Sequence, residues 1–139
     1  MSEEVKIPDK FLFTKEHEWI KKENSEMRVG ITDHAQNQLG DIVFVELPTI
    51  GDDFAQYSKG DSTESELGAV ESIKSVSTLY APVSGKVTEV NVELEEKPEM
   101  VNEDPYGDGW ICKMKIEDKE ELEKLMDAEK YERYLEEKD

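Results

Sequence analysis

From Trp19 to Ile116 the chain is cut into short runs of apolar and β-branched residues, each closed by glycine, proline or a polar cluster. Trp19-Ile20 and MRVGI flank the polar stretch KKENSE, DIVFVEL stops at Pro48, and LGAVESI, GKVTEVNV and WICKMKI follow. Runs of this kind read as strands, with DIVFVEL as a buried one, and strands at this spacing predict a small barrel or sandwich. Two segments break the pattern. Thr32-Asp33 before HAQNQLG predicts a two-turn helix bridging two strands, with Thr32 or Asp33 as N-cap and Gly40 as a left-handed stop.

From Asp118 the period changes again. EDKEELEKLM places Leu122, Leu125 and Met126 on one helical side, with Glu120 and Lys124 as an i,i+4 pair. Asp127 can cap a second helix whose apolar stripe is Tyr131, Tyr134 and Leu135, read as ordinary core. The expectation is a helical tail over 118–139 packed on a β body, all within one domain spanning 1–139, since 139 residues suit a single core. Trp19, Phe44, Val45, Leu47, Val70, Val87, Trp110 and Met114 are the expected core residues.

Seventeen Lys and Arg against 35 Asp and Glu leave a formal charge of −18. A field of that sign repels phosphate backbones and anionic headgroups, which argues against nucleic acid and membrane surfaces as partners. It favours brief encounters with proteins that carry basic docking patches. No apolar run approaches a membrane span, and MSEEVKIPDK has neither a signal core nor transit-peptide character, so a cytoplasmic location is expected. Cys112 is the only cysteine, which rules out an intrachain disulfide; its place in WICKMKI reads as a small core residue.

Catalytic constellations are weak. His17 and His34 lie in unrelated contexts without a second cysteine, so a zinc site of the usual N/S kind has no ligand set and none is expected. There is no glycine-rich phosphate loop after a strand and no nucleophile elbow. With 35 carboxylates, adjacent acids such as Asp52-Asp53 arise by chance. That leaves Lys74, set between two serines in GAVESIKSVSTLYAPVSGKV. If LGAVESIKSVS folds as two strands around a tight turn, SIKS falls at the tip with the ammonium outward. Taken alone, such a lysine is an exposed charge that blunts a hairpin, with no desolvation to make it a nucleophile.

GAVESIKS followed by APVSGKV closely resembles the lipoylation hairpin of the glycine cleavage system H-protein family. TKEHEW at 14–19, VGITDHAQNQLGDIVFVELP at 29–48, VNEDPYGDGWICKMKI at 101–116 and LMDAEKYERYL at 125–135 resemble that family's segments in the family's order. The resemblance covers nearly the whole chain. It implies a mainly β fold, a barrel-sandwich hybrid of two antiparallel sheets with a short helix after the N-terminal hairpin and helices at the C-terminus.

The resemblance also implies a non-catalytic carrier with lipoate covalently attached to Lys74 by a lipoyl ligase or transferase. In the family, a pyridoxal-phosphate glycine decarboxylase passes the aminomethyl group of glycine to the arm. A tetrahydrofolate-dependent aminomethyltransferase removes it, and dihydrolipoyl dehydrogenase reoxidises the dithiol. Tethering makes transient docking sufficient, because each transfer becomes local. Glu71 and Gly85 match positions that attachment enzymes read, the first as a charge and the second as a turn needing φ freedom. Glu18 matches a residue at the cleft where the loaded arm rests; one more surface carboxylate is the competing reading. Ser72 and Ser75 are read as small residues that keep the tip accessible. SIKS is unlike the biotin carriers, whose lysine sits between methionines.

One departure stands out. Between KGD and LGAVES the chain has STESE, at 62–66, where the family has one or two residues. Such an extension costs little closure entropy, yet could bulge near the docking surface. It motivates the alternative of a same-fold lipoyl carrier acting in lipoate relay or sulfur oxidation. A third reading is an unmodified acidic adaptor with Lys74 inert.

Overall fold

A computed structural model describes residues 6–57 and 64–138. The N-terminal hairpin joins β2 (Glu18–Glu23) to β3 (Glu26–Ile31), with Glu23 opposite Glu26 as the last pair. The strands therefore run through most of KKENSE. Only Asn24 and Ser25 are left as the loop, and Asn24 takes φ 58, a left-handed conformation asparagine tolerates.

Within the described residues two antiparallel sheets form, neither closed on itself. The larger has the order β1 (Leu12–Phe13), β2, β3, β9 (Cys112–Ile116), β8 (Gly85–Val90), β5 (Asp53–Phe54). The smaller is β4 (Ile42–Glu46), β6 (Glu66–Ser72), β7 (Val76–Tyr80). This mainly β, two-sheet arrangement with a few helices is the one the resemblance implies.

The core lies between the sheets. Val29, Val45, Val70, Leu79, Val87, Cys112 and Met114 are all buried, and Val45, Val70 and Leu79 alternate along their strands with less buried neighbours. Each buried aliphatic of this size contributes about 1.5–3 kcal/mol. Burial also pushes the Cys112 thiol up to about 12, which leaves it an inert core residue.

Phe44 departs from the expected core. Strand β4 lies at a sheet edge, and its pairing with β6 is irregular between Ile42 and Phe44. The extra residue turns both Val43 (52% exposed) and Phe44 (48%) to solvent. Trp110 is only half-buried and carries the Arg28 guanidinium 5.2 Å from its ring centroid and the Lys113 ammonium at 5.7 Å. Leu47 is likewise partly buried against the core.

Helix α1 (Asp33–Leu39) starts at Thr32, whose hydroxyl accepts the Ala35 N–H. It ends at Gly40, where φ is 83 but ψ is −156, an extended positive-φ geometry rather than the left-handed helical stop. A short α2 (Met100–Glu103) follows β8 and a 3-10 turn at Val92–Glu95.

The expected helix after Asp118 is reduced to a 3-10 segment, Lys119–Lys124. Leu125 turns extended because Met126 pairs with Phe13 through two backbone hydrogen bonds of 2.8 Å, and that pairing outweighs helical periodicity. Asp127 then accepts the Lys130 N–H at the start of α3 (Ala128–Lys138). Tyr131 stacks on Phe13 at 4.7 Å and Leu135 is buried beside them, forming a second small core with Trp19.

Candidate functional site

Strands β6 and β7 pair from Glu66–Tyr80 to Glu71–Val76, leaving Ile73, Lys74 and Ser75 as the tip. Ser72 builds the turn. Its N–H donates to the Ser75 carbonyl at 2.8 Å, and its hydroxyl oxygen accepts the N–H groups of Lys74 (3.2 Å) and Ser75 (3.1 Å). A serine closing its own turn replaces bonds that the short loop cannot make to the ladder. Ser72 is buried, so its role is structural, not the passive accessibility expected for it. Ser75 is exposed, as expected for a small polar residue at the tip.

Lys74 is exposed at the apex. Its stem passes over the turn that ends α1: a Cβ placed on Gly40 would lie 3.5 Å from Lys74 Cε. The lysine is flanked by apolar groups that face water, Ile73 at 75% and Val76 at 64% exposure. Across the small sheet Phe44, Glu71 and Val76 occupy one row, so Glu71 sits between two exposed apolar side chains. A primary amine in this setting is open to acylation by an external enzyme.

Glu18 is not a surface carboxylate. It is 1% exposed, in β2 of the larger sheet, and its Oε2 accepts the Tyr80 N–H at 2.9 Å at the far end of β7. Its Oε1 accepts the Thr14 hydroxyl at 2.7 Å. Burial pushes the Glu18 carboxyl up to about 8, against the two hydrogen bonds, which lower it. Beside Thr14 opens a cleft of about 350 Å³ that Phe13, Gln56, Tyr57 and Pro82 help to line. Tyr57 stacks on Tyr80 at 4.0 Å. Nothing in the spacing of 35 carboxylates distinguished Glu18; its burial comes from the crossing of two sheets.

Gly85 lies away from this cluster, at the start of β8 between Phe54 and Ile116. Its φ is not positive, which corrects the expectation of conformational freedom. It is glycine because a Cβ would collide with the Lys115 carbonyl on β9. Lys74 and Glu71 therefore share the hairpin, Glu18 meets its opposite end, and Gly85 belongs to the other sheet.

Of STESE, residues 62 and 63 lie outside the described part. Glu64 and Ser65 bracket Ala55: the Glu64 carbonyl accepts its N–H at 3.0 Å, and the Ser65 hydroxyl donates to its carbonyl at 2.7 Å. Glu66 begins β6, whereas Lys74 follows its end, so the described part of the extension sits at the opposite end of the strand from the lysine.

His17 and His34 come together, with ring centroids 4.7 Å apart, contrary to their separate sequence contexts. His17 Nδ1 lies 2.8 Å from the Tyr131 hydroxyl, which is also 2.8 Å from Thr32 Oγ1. Among the described residues no group of three or more His, Cys, Asp or Glu is placed to hold a metal ion. No helix there is long and apolar enough to cross a membrane.

Comparison with known proteins agrees with the geometry. Residues 11–138 match the family model described as glycine cleavage H-protein. The glycine cleavage system H protein of Halothermothrix orenii is 52% identical over 133 residues, covering 96% of this chain and 98% of that one. That of Carboxydothermus hydrogenoformans is 53% identical over 131 residues, covering 94% and 95%. The crystal structure of a glycine cleavage system H protein from Mycobacterium marinum superposes with a TM-score of 0.76 at 35% identity, covering 90% of this chain and 95% of that one. With its sheets, its exposed hairpin lysine and a match along almost its full length, the chain belongs to the glycine cleavage H-protein family.

Proposed function

We propose that Lys74 is the residue that carries lipoate, in amide linkage, and that the chain works as one carrier unit over 1–139 with its 118–139 tail docked on the β body. The family is that of the lipoyl carrier of the glycine cleavage system, a non-catalytic subunit. The observation that carries the assignment is the position of Lys74: exposed, at the apex of a turn closed by Ser72, on a strand pair anchored in the core by Val70 and Leu79. The site fits the group, because an amide at Nζ extends into solvent and removes one exposed charge without burying another.

When attached, lipoate supplies a dithiolane that accepts and releases the aminomethyl group of glycine. The protein's own residues present and shelter it. Ser72 and the β6–β7 ladder fix the point of attachment, and Glu71, between Phe44 and Val76, offers a charge beside it for the attaching ligase or transferase. At the far end of β7, Glu18 and the cleft beside Thr14 form the place where an amine-bearing arm comes to rest. Buried and raised to about 8, Glu18 holds a proton near neutral pH and gives it up before its carboxylate pairs with an arriving ammonium. Gly85 supports this frame through strand packing.

The partners in this reading are the pyridoxal-phosphate glycine decarboxylase, the tetrahydrofolate-dependent aminomethyltransferase and dihydrolipoyl dehydrogenase, all in the cytoplasm. A net charge of −18 favours fast, salt-sensitive encounters with basic docking faces. The test is glycine-dependent CO2 release by the decarboxylase with the lipoylated protein as acceptor. Release that depends on the protein and vanishes with Lys74→Ala is expected; a fully lipoylated sample that stays inert contradicts the reading.

A further inference from the structure

The hairpin tip is held from outside the hairpin. The Ile73 N–H donates to the Asp41 carbonyl at 3.3 Å, and Ile42 pairs with Ser72, so the tip rests on the Gly40–Ile42 turn between α1 and β4. Gly40, at φ 83, takes a conformation open almost only to glycine, and the Lys74 stem passes over it.

One side chain fixes this turn. Asn102, on α2, accepts the Ile42 N–H on Oδ1 at 2.8 Å. Its Nδ2 donates to the Gly40 carbonyl at 2.8 Å and to Gln36 Oε1 at 2.9 Å. Asparagine combines an acceptor with two donors on one short, rigid amide, so it can grip both ends of the turn and the helix before it. Deprived of these bonds, backbone groups of the turn lose partners that the local chain does not replace, and local opening becomes easier.

We propose that Asn102 is a positioning residue for the modified lysine: by clamping the Gly40–Ile42 turn it fixes the surface on which the Ile73 amide and the Lys74 stem rest, and so the direction in which Lys74 is offered to the enzymes that load it. The inference rests on Lys74 being the lipoylated residue. Small displacements of a reacting group matter to an enclosing enzyme and not to a small reagent, which gives the proposal its signature.

Asn102→Asp keeps the volume and an acceptor for the Ile42 amide but has no N–H for the Gly40 carbonyl or Gln36; Asn102→Ala removes all three bonds. Three quantities are measured on each folded protein: exchange of the Ile73 amide by NMR, KM and kcat for acylation by a lipoate ligase, and the rate at which a soluble succinimidyl ester of lipoate acylates Lys74. For Asn102→Asp we expect Ile73 exchange and ligase KM each to rise about tenfold, the scale of the lost bond to the Gly40 carbonyl of the turn, with kcat and the ester rate unchanged. A variant with lowered Tm but wild-type Ile73 exchange and ligase KM would assign Asn102 to fold stability alone and overturn the proposal. If the ligase leaves Lys74 of the wild-type protein unmodified, it is the carrier reading that fails, before Asn102 is reached. Should Asn102→Ala not fold, Asn102→Asp decides.

Discussion

The carboxylate of Glu18 accepts the backbone N–H of Tyr80 at 2.9 Å, joining β2 of the six-stranded sheet to the end of the hairpin strand β7 in the three-stranded one. One buried acid thus sits where the frame of the carrier meets the strand that leads back to Lys74. Its two oxygens are both engaged, by Tyr80 and Thr14, and its proton is held unusually tightly.

Glu18 makes stability fall with rising pH. In the unfolded chain it ionises near 4.5 and in the fold near 8, so across that interval the folded state keeps a proton the unfolded state has lost. Its contribution is complete below about 4.5 and is lost as pH rises through about 8. Thermal melts of wild type and Glu18→Gln at matched pH values should show the wild-type Tm dropping by at least about 5 °C relative to the variant between the two ends of the interval. Parallel curves would mean that the acid is not held protonated.

Ser72→Ala removes the acceptor for two N–H groups at the tip and should cost about 1–2 kcal/mol in urea unfolding. Ser75→Ala should be near neutral, because Ser75 closes the turn with its backbone and its side chain is exposed. Equal effects of the two substitutions would contradict the asymmetry of the turn.

Gly85→Ala forces a methyl group against the Lys115 carbonyl and should destabilise by about 1–3 kcal/mol as β8 and β9 shift apart. Ligase acylation of Lys74 should then fall only in proportion to the folded fraction. A folded, stable Gly85→Ala protein that the ligase rejects would instead show direct recognition at this position.

Tyr131→Phe keeps the ring stacked on Phe13 but deletes the hydroxyl placed between His17 and Thr32. A loss of about 1–2 kcal/mol in denaturant unfolding is expected, with little change in lipoylation, since this cluster lies under α3 and not at the hairpin.

What was legible in the sequence was local. The strands, the tight turn around Lys74, the Thr32 cap and the Asp127 cap each depend on residues within a few positions of one another, and each forms. What depends on distant partners was hidden. Met126 pairs with Phe13 and so cuts short a helix whose own periodicity is sound. The bulge in β4 turns Phe44 outward although its run reads as core. Gly85 answers to a carbonyl on another strand, not to its own turn. Asn102 lies in a helix of four residues, too short for any period to mark it. Lys74 and Glu71 were reached through the motif around them, whereas the burial of Glu18 needed both sheets.

The most direct test of the carrier reading is the intact mass of the protein after coexpression with a lipoate ligase and lipoate, followed by peptide mapping. Addition of a single lipoyl group, located on Lys74 and absent from Lys74→Ala, is predicted. A protein that stays unmodified under conditions that fully lipoylate a known H protein, or one modified at a different lysine, would contradict it.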